Sequence, residues 1–158
     1  MAKFLIIGPS GVGKSSVINS IKELRLIEVL DLDSILHGTP FPEYFTKGKE
    51  YIESLENSKD ILIAVGAGCT FPEFGHKWFT EQLTIVLTGN PKHIFNRSER
   101  LQKTYNGNYE HYFSVEFSKA KELLYKSCPY LINTENKCIN QVTGSLIEII
   151  KSDTKFKN

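Results

Sequence analysis

Residues 8–16, GPSGVGKSS, follow the apolar run FLII and precede VINSIKEL, whose apolar positions recur at helical spacing. A glycine-rich turn at such a junction restricts the fold sharply. A strand buried on both faces must hand over directly to a helix, which is the repeating unit of a mostly parallel α/β sheet. The turn satisfies GxxxxGK[ST] at Gly8, Gly13, Lys14 and Ser15. Glycines let backbone N–H groups converge on phosphate oxygens and the helix N-terminus adds partial positive charge, while the lysine reaches the terminal phosphates and the serine hydroxyl ligates magnesium. The stretch therefore reads as a nucleotide-binding loop, with Gly8, Ser10, Gly11, Val12, Gly13, Lys14, Ser15 and Ser16 as its contacting residues.

The rest of the chain keeps the same alternation. Short β-rich apolar runs lie at 4–7, 27–32, 61–65 and 83–87, with a last short strand at YLIN, 130–133. Helical patterns fall between them at 13–24, 42–55, 74–83, 91–101, 117–126 and 141–151. Asn90 followed by Pro91 is a helix-start signal. These units predict a three-layer α/β fold of the P-loop NTPase type, a mostly parallel sheet with helices on both faces, in a single domain spanning 1–158. One segment breaks the alternation. QKTYNGNYEHYF, 102–113, has no apolar period and reads as a mobile loop, a lid covering about 102–116.

Charge and cysteine content narrow the function. The 19 basic and 18 acidic residues leave a net charge of +1, so no global field recruits nucleic acid or an anionic membrane. No run approaches the roughly 18 apolar residues of a membrane span, and the N-terminal apolar run is too short for a signal peptide. The expectation is a soluble cytoplasmic monomer whose partner is a small molecule. Cys69, Cys128 and Cys138 have no CxxC spacing and read as free, mostly buried thiols.

The second strand ends in LDLDSIL. Alternation would place Asp31 and Asp33 on one side of the strand at its C-terminal end, where ligands of open α/β sheets collect. One carboxylate would hold the magnesium water shell and the other would accept a proton from a substrate hydroxyl.

The motif order GPSGVGKSS, DLD, VGAG, TIVLTGNPKHIFNR and ELLYKSCPYLINT resembles the shikimate kinase family of small P-loop kinases through most of the chain. That resemblance implies a doubly wound parallel sheet, a flexible lid, and magnesium-dependent transfer of the ATP γ-phosphate to a substrate hydroxyl. By it, Asp31 and Ser15 correspond to the magnesium ligands and Asp33 to the substrate-binding aspartate. Gly66 and Gly68 correspond to the outer glycines of a substrate turn whose middle residue here is Ala67. Arg97 resembles the arginine lying against adenine, and Arg100 stands at the lid entrance, contributing to phosphate contacts; Lys14 stabilises charge on the transferred phosphoryl group.

The departures concern the acceptor. The family grips a carboxylate with arginine forks. This chain has only Arg25, Arg97 and Arg100, none between 26 and 96 and none after 100. Overlay puts Glu53 where a substrate arginine is expected, with Lys121 near the second and Lys103 near the lid arginine. Losing each bidentate contact costs about 1.5–3 kcal/mol, so a shikimate-like kinase with an altered substrate is expected. A nucleoside or nucleotide acceptor, with Phe41, Tyr44, Phe45 and Phe71 as stacking surfaces, is one alternative. A non-catalytic ATP-binding regulator is another.

Overall fold

The computed structural model describes residues 2–40, 43–56, 59–66 and 72–157. Among them, β1 (Lys3–Ile7), β2 (Glu28–Asp31), β3 (Ile61–Ala64), β4 (Leu83–Thr88) and β5 (Tyr130–Asn133) form one sheet in the order β2-β3-β1-β4-β5. Every pairing is parallel; in the centre, Ile6 lies opposite Ala64 of β3 and Ile85 of β4. The strands expected from the apolar runs are all present.

Alternation along β1 feeds two cores. Phe4 and Ile6 pack with Val17, Ile18 and Ile21 of α1 (Lys14–Leu24) and with Val142 and Leu146 of α9 (Ile139–Lys157). Leu5 and Ile7 face the other way, toward Phe45 and Ile52 of α3 (Glu43–Ser54), Phe79 of α4 (Pro72–Glu81) and Leu124 of α8 (Lys119–Ser127). Helices on both faces explain why the strands read as continuous apolar runs rather than as alternating ones. The chain leaves β1 toward one edge and leaves its neighbours β3 and β4 toward the other. A crevice for ligands therefore opens beyond the C-terminal end of β1.

Several local expectations need correction. The helix expected over 91–101 is two: α5 (Pro91–Arg97), capped by Asn90, and α6 (Glu99–Thr104). Ser98 has extended backbone and its hydroxyl caps Leu101 N–H, so it ends one helix and starts the next. The lid segment expected as a mobile loop over 102–116 is largely helical. After a turn at Asn106 and Gly107, both with positive φ, Asn108 caps α7 (Tyr109–Glu116). Its apolar face is built from tyrosine and phenylalanine, which a count of polar groups overlooks: Tyr112 is fully buried and its ring stacks on Phe95 at 5.2 Å. α9 also runs past 151 to Lys157. Cys128 is partly buried as expected, but Cys138 is exposed. Cys69 lies outside the described residues.

Candidate functional site

The phosphate-loop sequence stands where the sheet topology opens its crevice, between β1 and α1. Gly13 is the N-cap of α1 and supplies no capping side chain, so the first-turn N–H groups are left to the cavity that Gly13, Lys14, Ser15 and Ser16 line. Lys14 curls back over the loop, and its Nζ donates to the carbonyls of Gly8 at 2.6 Å and Pro9 at 3.2 Å. Burial holds the Lys14 pKa down to about 8; the charges of Glu116 and Asp33 favour its ammonium form, while Lys121 and Arg100 oppose it. Val12 is buried beneath the loop and serves its packing.

Two cavities meet here, of about 170 Å³ and about 530 Å³, and both are lined by Lys14, Ser15, Asp33 and Gly66. Asp31 borders the smaller, and Ser10, Gly11 and Arg100 the larger. Lys14, Ser15, Asp31 and Asp33 thus border one crevice, although the two aspartates do not reach it by the expected geometry. Asp31 and Asp33 do not alternate along a strand. β2 stops at Asp31, whose side chain caps the helical turn α2 (Leu32–Ile35) by accepting from Asp33 N–H at 3.0 Å. Asp33 therefore projects from a helical turn. Its carboxylate accepts a hydrogen bond from the Tyr44 hydroxyl and lies against the backbone of Gly66, where an added Cβ would stand 2.1 Å from Oδ1. Burial and the neighbouring Asp31 charge raise the Asp33 pKa, with Lys14 opposing. Ser15 with these two carboxylates is a hard-oxygen donor set, which suits magnesium because that ion keeps several waters and takes few protein ligands. No group of three or more His, Cys, Asp or Glu that could hold a metal by itself occurs among the described residues.

The far wall is supplied by α6 and α7, and it engages Ser10 through all three of its polar groups. Glu116 accepts from the Ser10 N–H at 3.1 Å, the Tyr112 hydroxyl donates to the Ser10 carbonyl at 2.9 Å, and Arg100 Nη2 donates to the Ser10 hydroxyl at 3.1 Å. Arg97 is also committed to the loop, donating to the carbonyls of Gly11 at 3.3 Å and Val12 at 3.2 Å. The roles of Glu116 and Tyr112 were missed from sequence. Nothing in their local pattern indicates contact with a loop about a hundred residues earlier, and only the aromatic spacing of α7 could have suggested a packed helix.

The acceptor-side expectations fare less uniformly. Glu53 is exposed on α3 and accepts from Trp78 Nε1 at 3.1 Å; it borders neither of these two cavities. The reason is that α3 turns this position toward α4. Phe45 is core, packed edge-on to Trp78, which removes it as a stacking surface. Lys121 is buried and lies 3.5 Å from Glu116, close enough to the loop for its charge to act on Lys14. Ala67, Gly68, Phe41 and Phe71 lie outside the described residues.

No family model matches the chain, and no curated protein matches it in sequence. Solved structures do match in fold. Shikimate kinase from Bacteroides thetaiotaomicron aligns with a TM-score of 0.69 at 17% identity, over 95% of this chain and 98% of that one. Shikimate kinase from Acinetobacter baumannii, solved in complex with shikimate, gives 0.65 at 19% identity over 97% and 94%. The YorR protein of Bacillus subtilis, in complex with phosphorylated GDP, gives 0.65 at 12% identity over 98% of both chains. At these identities the likeness is one of fold: a parallel five-stranded sheet flanked by helices, as in P-loop kinases of the shikimate kinase type.

Proposed function

We propose that this protein is a magnesium-dependent ATP phosphotransferase that acts on a hydroxyl of a small metabolite other than shikimate. The observation that carries the reading is that Lys14, Ser15, Asp31 and Asp33 border one crevice at the C-terminal end of a parallel sheet. Phosphoryl transfer needs little covalent chemistry from the protein; it needs positioning and charge neutralisation, and these four side chains are suited to both.

Lys14 would exchange its two loop carbonyls for phosphate oxygens, a trade that favours the ammonium form its burial now penalises. Ser15 and Asp31 would hold magnesium, which neutralises charge on the phosphates when bound. Asp33 would orient the attacking hydroxyl and take its proton. It already accepts a hydrogen bond from a hydroxyl, that of Tyr44, so the carboxylate is aimed as such a base must be. Its raised pKa suits that role. Arg97 and Arg100 reach the nucleotide loop from α5 and α6, and α7 would act as the lid that excludes water during transfer. The absence of arginine between 26 and 96 and after 100 argues against a carboxylate-bearing acceptor. A nucleotide acceptor is the second reading, favoured by the fold likeness to the protein bound to phosphorylated GDP.

The test is ADP release from Mg-ATP with shikimate, gluconate, nucleosides and nucleoside monophosphates, with Lys14→Met as the blank. Turnover on a non-shikimate acceptor that vanishes in Lys14→Met is expected. Turnover that survives the substitution would refute the assignment, and acceleration by shikimate would refute the altered specificity.

A further inference from the structure

Glu116 ends α7 directly against the phosphate loop, and the transfer reaction outlined above gives it no role. Its side chain is shut away from solvent, with the residue 4% exposed, beside a lysine, Lys121, that is 2% exposed. A buried ion pair is stable only where further hydrogen bonds complete it. Here the completing donor is the Ser10 N–H, so one carboxylate oxygen is shared between a phosphate-loop amide at 3.1 Å and an ammonium at 3.5 Å. Backbone N–H and buried ammonium form the donor set that a phosphoryl oxygen takes.

The end of the loop at which this happens is what matters. In such loops the helix N-terminus serves the inner phosphates and the lysine reaches the outer ones. Lys14 Nζ lies over the carbonyls of Gly8 and Pro9, in the N-terminal half of the loop and adjoining Ser10. Glu116 is the charge that most favours the Lys14 ammonium, as a neighbour at that end must. The carboxylate therefore stands at the terminal-phosphate end, away from the first turn of α1. Tyr112 and Arg100 tie α6 and α7 to Ser10 independently, so Glu116 can leave without releasing the helices.

We propose that Glu116 is an internal anion occupying the γ-phosphate subsite of the loop: a nucleoside diphosphate binds beside it, whereas a triphosphate binds only by displacing it, with Lys121 then passing from carboxylate to phosphate. Glu116 thereby sets the preference of the site between diphosphate and triphosphate. The proposal rests on the reading of residues 8–16 as a nucleotide site.

The experiment is calorimetric titration of Mg-ADP and of the non-hydrolysable Mg-AMP-PNP into the wild type, Glu116→Gln and the double variant Glu116→Gln/Lys121→Met, with thermal melts to confirm folding. Glu116→Gln tightens the triphosphate analogue about tenfold, the worth of one charge-assisted contact, and leaves ADP within about twofold; the double variant loses the gain. A readout that needs no variant is the Ser10 amide resonance of the wild type, which moves with the triphosphate analogue and stays in place with ADP. Equal changes for the two nucleotides, weaker triphosphate binding by Glu116→Gln, or a Ser10 amide that responds alike to both would overturn the proposal alone. Failure of every form to bind either nucleotide would overturn the nucleotide site itself, and the proposal with it.

Discussion

Replacing Gly11 by alanine tests whether the phosphate loop is packed as tightly against α6 as its geometry requires. Gly11 has φ of +87°, a region L-residues avoid, and an added Cβ would stand 2.5 Å from Leu101 Cδ1 and 3.2 Å from Ile94 Cγ2. Leu101 and Ile94 are 0% and 1% exposed, so neither can swing into solvent to make room. The backbone strain is worth about 1–2 kcal/mol. Overpacking against two buried side chains adds about 1–3 kcal/mol. Together these predict a destabilisation of roughly 2–5 kcal/mol, read as a fall in Tm of roughly 4–20 °C for a chain of this size. The assay is urea and thermal unfolding followed by circular dichroism, with Leu101→Ala and the double variant completing a cycle. Because Leu101→Ala removes the clashing methyl, the double variant should be about 1–3 kcal/mol more stable than the sum of the two single losses. A Gly11→Ala protein within about 0.5 kcal/mol of wild type, or strictly additive losses, would show that the loop has slack and that the contact does not constrain it.

Two further outcomes follow from the same site. Lys14 has its pKa lowered to about 8 from 10.5, so the folded protein resists carrying its charge; the penalty, about 3 kcal/mol, is complete below pH 8 and fades as pH rises to 10.5. The stability of wild type relative to Lys14→Met, from urea titrations at several pH values, should rise across that window, and a flat difference would refute the buried-ammonium reading. Gly66→Ala would push a Cβ to 2.1 Å from the Asp33 carboxylate, which must retreat by more than an ångström to restore ordinary contact. Such a displacement costs about 100-fold in kcat while nucleotide affinity holds, and unchanged kcat with the responding acceptor would remove Asp33 from the transfer step.

What the sequence made legible was whatever is encoded locally. The strands are runs buried on both faces, and the GxxxxGK[ST] spacing marks the loop because its backbone demands glycine and lysine at fixed positions. Asp31 and Asp33 border the crevice, but from a geometry their spacing did not reveal, since a capping aspartate and a strand aspartate have the same spacing. α7 was hidden because its apolar face is made of tyrosines, which bury their rings and direct their hydroxyls to a partner. Tyr112 is the instance: its ring stacks on Phe95 while its hydroxyl reaches Ser10. The Glu116 contact was illegible for a different reason. A carboxylate becomes a loop ligand only through the packing of elements far apart in the chain, and no short window contains that information. The hydrogen bond between Glu53 and Trp78 was illegible in the same way, because it is set by how α3 meets α4.

The three-way hold on Ser10 also orders events during synthesis. Ser10 is separated by 106 residues from Glu116 and by 102 from Tyr112. Chains emerge N-terminus first, and contacts across such spans carry the entropy of closing the intervening loop. A nascent chain exposed only as far as β4 therefore contains the entire glycine-rich loop, yet lacks the segment that fixes its shape. Although it is made about a hundred residues before α7, the loop is completed only with it, and a ribosome-tethered chain gains the finished loop only once α7 has left the exit tunnel.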